Sequence, residues 1–149
     1  MTLKSSTGLR NRMLDTGPAR TALAGGFVHI YGGAEPATAD AAINAGVNPL
    51  LCTIYSDGVA AGLNLAAAAA DGMIQKASAE SWTGSVVETG QASFFRHVGA
   101  ADTGAASITE PRLQGKVAMS GGELNISSVA LVQGAPQALN FYSLALPTF

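Results

Sequence analysis

At 149 residues and a formal net charge of −2, the chain is one domain long and lacks the basic block that nucleic-acid binding requires. Only 12% of its residues are charged, about half of the roughly 25% usual in soluble domains, so its exterior either relies on Ala, Ser, Thr, Gly and Asn or is covered by partners. The lone Cys52 excludes an internal disulfide and, among Leu50, Leu51 and Ile54, reads as a small buried hydrophobe rather than a nucleophile.

Residues 1–7 are polar and expected to be mobile until something holds them. Thr7 is placed to cap a short helix over Leu9–Asp15, and Gly17-Pro18 interrupts it, with Pro18 able to open a second turn. Positive charge concentrates here, at Lys4, Arg10, Arg12 and Arg20. These four side chains are the candidate protein-interface residues, on a solvated helix face or on an arm that contacts an acidic neighbour. The expected division is an N-terminal arm or short helix over residues 1–23 and a sandwich domain over 24–149.

GFVHIY (26–31) predicts a strand with Phe27, His29 and Tyr31 on one face and Val28 and Ile30 on the other. The alanine-rich TADAAINAG predicts one helical turn behind Thr38, reaching to about residue 46. Leu50–Tyr55 is the next strand, and Asp71-Gly72 is a two-residue hairpin signal between Leu63–Ala70 and Met73–Ala77. Strands over Ser81–Glu88, Gln91–Val98, Arg112–Met119, Glu123–Val132 and Leu139–Leu146 complete the series, the last apolar on both faces and so expected at a central or covered position. Short strands at regular spacing, without helix–strand alternation, predict an all-β fold: an antiparallel β-sandwich, jelly-roll-like, with a short N-terminal helix or arm.

Catalytic signals are missing from the pattern. His29 and His97 sit in strands without HxH, HExxH or CxxC spacing, so no metal is expected. No GxSxG elbow and no phosphate-cradling glycine loop appears, and Asp57, Asp71, Glu80, Glu88, Asp102, Glu110 and Glu123 are scattered beside turns. No cofactor and no enzymatic activity are expected. The N-terminus lacks the apolar core of a signal peptide, and the apolar run Ala60–Ala70 is too short to span a bilayer, so no membrane passage is expected. In Phe94-Phe95-Arg96-His97, alternation places Phe94 with Arg96 and Phe95 with His97. Either Arg96 or His97 then points inward and needs partners, or both faces are covered, by the second sheet and by a neighbouring subunit, or Arg96 is exposed and pairs with a surface acid.

TGQASFFRHVG, followed after a turn by RLQGKVAMSGGELNISSVALVQGAPQALNFYSLALP, resembles small virion structural proteins of tailed bacteriophages, in which a TGxAxxFR strand precedes a GxVxxSGxxLN hairpin and a final strand. LRNRMLD, FVHIYGGAEPATAD and LLCTIYSDG extend the likeness over most of the chain. The resemblance implies a capsid decoration, or cement, protein: a non-enzymatic homo-oligomer, with a trimer favoured, bound to the major capsid protein lattice on the virion surface and made in the host cytoplasm. The alternative is a tail- or fibre-associated sandwich binding host glycans, which would show an exposed aromatic platform built from Trp82 with Tyr31, Tyr55 or Tyr142.

Overall fold

The computed structural model describes residues 3–146. Its elements run β1 (Lys4–Ser5), α1 (Thr7–Asp15), α2 (Ala19–Ala22), β2 (Phe27–Tyr31), β3 (Leu50–Ser56), β4 (Met73–Gln75), β5 (Trp82–Ser85), β6 (Gly90–Gln91), β7 (Phe94–Val98), β8 (Arg112–Ala118), β9 (Leu124–Asn125), β10 (Ala130–Leu131), β11 (Pro136–Leu139) and β12 (Ser143–Ala145). Strand accounts for 37% and helix for 9%, and the fold is all-β and sandwich-like, as the glycine-punctuated strands predict.

One path of strands organises the molecule, in the order β1-β8-β7-β2-β3-β5-β11, with every neighbour antiparallel. β9 lies parallel to β8 off this path, and β10–β6 and β12–β4 form two small ribbons. β3 is the corner. Its residues from Leu50 to Ile54 pair with β2, whereas Tyr55 and Ser56 pair with β5, so one core receives side chains from both halves of the path. The alternation read from GFVHIY holds: Val28 and Ile30 are fully buried in that core with Cys52, Ile54, Trp82, Phe95 and Leu139. Burial pushes the Cys52 thiol up to about 11, so it remains a protonated, inert filler.

Four local expectations change. The cap of α1 is Ser6, whose Oγ accepts from Leu9 N at 3.0 Å, while Thr7 turns to Asp40 instead. Residues 38–46 form turns and no helix, because backbone carbonyls of Ala39 and Ala41 are taken by arginine side chains from the sheet. Leu63–Ala70 is a string of isolated bridges, although Asp71-Gly72 does make the tight turn, with φ of 52° and 73° and paired bonds of 2.9 Å between Ala70 and Met73. Leu139–Leu146 is not one central strand. It breaks at residues 140–142 into β11, at the end of the strand path, and β12, in a separate ribbon with β4.

The break follows from Tyr142. Its ring packs 5.0 Å from Trp82 and its hydroxyl lies 2.9 Å from His97 Nδ1, so the chain bends to bring it inward. His97 is buried here as a neutral ring, its Nε2 without a partner, and burial first and the charge of His29 second bring it down to about 3. The unfolded chain takes up this proton near the ordinary value of 6.5 and the folded chain only near 3. The stabilisation is therefore complete above 6.5 and lost as pH falls towards 3. Urea unfolding across this window is expected to show stability falling with a contribution of up to about 1.4 kcal/mol per pH unit from this group. His97→Gln removes that contribution, and a variant that keeps the parental slope contradicts the assignment.

Candidate functional site

The strand register sets a polar row across the face opposite the core. Lys4 of β1 stands beside Gln114 of β8, Gln114 beside Arg96 of β7, Arg96 beside His29 of β2, and His29 beside Thr53 of β3. The row is not left to water. The β2–β3 connection (32–49) and the β7–β8 connection (99–111) lie over it and bond to each other through Ile43 N to Gly104 O and Ser107 N to Asp40 O, both at 2.9 Å. Arg96, Arg112 and Gln114 are consequently fully buried.

Each buried group draws in backbone that would otherwise be loose. Arg112 donates through Nη2 to Asp102 Oδ1 at 2.8 Å and to Ala105 O at 2.6 Å, and through Nε to Asp102 Oδ2 at 2.5 Å, so it fixes the 99–111 loop bidentately. Its Nη1 reaches Ala39 O at 3.2 Å in the other loop. Arg96 donates through Nε and Nη2 to Gln114 Oε1 at 3.1 and 2.6 Å and through Nη1 to Ala41 O at 3.0 Å. Gln114 Nε2 continues to Pro36 O at 2.8 Å and Glu35 Oε1 at 3.1 Å. Burial first, then the neighbouring Arg112 charge, pulls Arg96 down to about 10, which still leaves it cationic at neutral pH. In the FFRH segment both faces are thus covered, the outer one by the chain's own loops rather than by a neighbouring subunit, and among the described residues no carboxylate lies at ion-pair distance from Arg96.

The N-terminal segment is tied to the same framework. β1 pairs with β8, Ser6 Oγ donates to Glu110 O at 2.7 Å and accepts from Arg112 N at 2.9 Å, and Thr7 donates from N and Oγ1 to the Asp40 carboxylate at 2.8 and 2.7 Å. Leu9 and Leu23 are buried with Leu113 and Leu144 in a second apolar cluster. From Leu3 onward the expected arm is docked on the sandwich; Met1 and Thr2 lie outside the described residues.

The candidate interface residues divide accordingly. Lys4 is spent internally, 2.9 Å from Glu35 Oε1 and donating to Pro36 O at 3.2 Å. Arg10, Arg12 and Arg20 are exposed, and among the described residues none has a carboxylate partner. Arg10 and Arg20 border two adjoining apolar hollows of about 330 and 180 Å³ that share Met13, Leu144 and Leu146. The hollows form one groove between α1, α2 and β12. Met73 and Leu146 on its wall are 42% and 60% exposed, leaving apolar surface uncovered. The aromatic platform of the glycan-binding alternative does not form around Trp82, which is buried, as are Tyr31 and Tyr142.

Sequence reasoning passed over the Arg112 and Gln114 side chains and left Asp102 among the acids scattered beside turns. The signal available was the polar alternation Arg112, Gln114, Lys116 in a strand, which is also what a solvated face looks like. Among the described residues no three His, Cys, Asp or Glu side chains converge as metal ligands, and no helix is long and apolar enough to cross a membrane. No family model matches the chain, and neither curated proteins nor solved structures contain a match to it.

Two ion pairs of opposite character give a direct test of this framework. The Arg112–Asp102 side chains are about 1% exposed, whereas those of Lys4 and Glu35 are 32% and 26% exposed. Asp102→Asn strands a buried cation and is expected to cost about 3–5 kcal/mol in chemical denaturation. Lys4→Met is expected to cost no more than about 1 kcal/mol. Equal losses from the two variants contradict the picture of one buried anchor and one surface pair.

Proposed function

We propose that the protein is a non-enzymatic structural component of a tailed-phage virion that decorates and stabilises the capsid by binding the major capsid protein lattice. The observation that carries this reading is the apolar groove bordered by Arg10 and Arg20, cations without acidic partners among the described residues. Such a surface fits a partner that brings apolar side chains edged with carboxylates: hydrophobic contact supplies affinity and the charged rim supplies orientation and encounter rate. The virion resemblance and the 12% charged content support the same reading from the sequence side.

A homotrimer is the favoured state, because closed cyclic symmetry buries an apolar flank on every subunit without running on into filaments. Three-fold and quasi-three-fold positions of a capsid lattice offer matching seats. A protein docked this way lends stiffness through many modest contacts rather than one tight one.

The test is occupancy on purified capsids. Arg10→Glu combined with Arg20→Glu is expected to weaken binding about tenfold, the ~1.4 kcal/mol that a pair of rim contacts supplies, with the folded protein unchanged in denaturation. Met13→Glu, which puts a charge into the groove itself, is expected to lower occupancy further. Unchanged occupancy in all of these variants overturns the reading, as does sedimentation of only monomer both free and with capsids.

A further inference from the structure

The strand path does not close on itself. β11 ends it, paired with β5 alone, and β9 hangs from β8 near the other end. Between β9 and β11 the sandwich has an open seam of about 420 Å³, with residues 123–127 along one wall and 138–143 along the other. It shares no lining residue with the groove under α1. Leu124, Ile126, Leu139 and Tyr142 along it are buried members of the main core, so the floor of the seam is the edge of that core.

Both walls present unpaired main chain. In the parallel β8–β9 ladder Ile126 N donates to Ala118 O at 3.0 Å, and Asn125 stands opposite Ala118. Leu124 and Ile126 therefore bond to β8, while the N–H and C=O of Asn125 point away from it. On the other wall, Val86 N donates to Ala135 O at 2.9 Å, which makes Gln137–Gly84 and Leu139–Trp82 the bonded pairs of the antiparallel β5–β11 ladder. Ala138 accordingly turns its N–H away from β5, and its carbonyl accepts from the neighbouring Gln137 Nε2 at 3.1 Å. The main chains of Ser127, Asn140 and Phe141 make no hydrogen bond among the described residues. Open strand edges are usually guarded by Lys or Pro, and neither wall contains a Lys, an Arg or a Pro.

We propose that this seam receives an extended segment of a partner polypeptide, which lies as an added strand between β9 and β11 and takes up their outward main-chain groups. A run of alternating N–H and C=O groups is matched by another extended main chain, which carries the same groups in the same alternation. Every second side chain of the segment then faces the floor and is apolar, and those between face water and are polar. Glu123 is the one charged residue in the lining, so the segment carries a Lys or Arg at the end that lies beside it.

The test titrates the full chain with the peptide acetyl-Lys-Val-Thr-Val-Thr-Val-amide and follows amide chemical shifts and hydrogen exchange by NMR. Saturable shifts and slowed exchange are expected at Asn125, Ala138 and Asn140. The Leu139 amide, already committed to β5, is slow from the start, and Met13 and Leu146 in the groove do not respond. Ala138→Pro removes an N–H that the β5 ladder does not use, and is expected to weaken peptide binding about tenfold, the upper effect of one hydrogen bond. Ala138→Ser keeps the N–H and is expected to bind like the parent. Asn125→Pro makes the same deletion on the opposite wall, and urea unfolding identifies which proline variants are folded. No response at Asn125, Ala138 and Asn140, or a parental peptide affinity in a folded proline variant, overturns the proposal. Protection that rises with protein concentration alone assigns the seam to a second copy of this chain and overturns the partner assignment. Capsids play no part in this readout, so the inference stands or falls apart from the decoration reading.

Discussion

Two guanidinium groups buried on one face of one sheet set the terms for most of this molecule. Arg96 and Arg112 sit on neighbouring strands, pointing away from the apolar core, and a cation removed from water must recover its hydration from fixed partners. The strands supply only the Gln114 side chain, because their backbone groups are already committed to the ladder. Carbonyls of Ala39, Ala41 and Ala105 therefore come from the two long connections, and among the described residues Asp102 is the one counter-charge at ion-pair distance. The connections acquire their paths from the arginines rather than from secondary structure of their own. Connections of this length without regular structure are uncommon in compact domains unless something holds them, and here the arginines do.

The N-terminal segment inherits its position from the same network. Ser6 is bonded simultaneously to Arg112 N, Glu110 O and Leu9 N, so one hydroxyl closes the sheet edge and caps the helix. A nine-residue helix is too short to persist alone. It persists because its cap is shared with β8 and because Leu9 is buried, a contribution of roughly 1.5–3 kcal/mol for a side chain of that size. Removing residues up to Asp15 would therefore open a core, not trim a tail.

What could be read from the sequence was whatever local pattern alone determines. The alternation of Phe27 to Tyr31, the Asp71-Gly72 turn, the Gly17-Pro18 break and the strands expected at Leu50–Tyr55 and Arg112–Met119 follow from side-chain period and backbone φ, and they match, whereas Glu123–Val132 divides into β9 and β10. Readings failed where a distant group overrode local preference. Residues 38–46 have helical composition but give up carbonyls to Arg96 and Arg112, which lie more than fifty residues away along the chain. The apolar run from Leu139 looks like one strand until Tyr142 is drawn to His97 and Trp82. The four basic residues clustered in sequence separate in space, because Lys4 finds Glu35 across the sheet edge while Arg10 and Arg20 stay at the groove. Arg112 and Gln114 carried no readable signal, since a buried polar face and a solvated one alternate identically.

The two surface features follow from one asymmetry in how the sandwich is covered. On the polar face the connections are long enough to bury both arginines but leave His29 half-buried, and the remaining gap is a cleft beside it, separate from the seam between β9 and β11. On the flank beside the N-terminal segment, α1 and α2 are too short to shield all of the Leu113–Leu144 cluster, and the remaining gap is the apolar groove. A slightly longer helix would hide Met73 and Leu146. Uncovered apolar area at the groove is a cost to an isolated chain. The uncovered groove would be relieved by a partner that brings an apolar segment edged with acids, the chemistry that the proposed role requires.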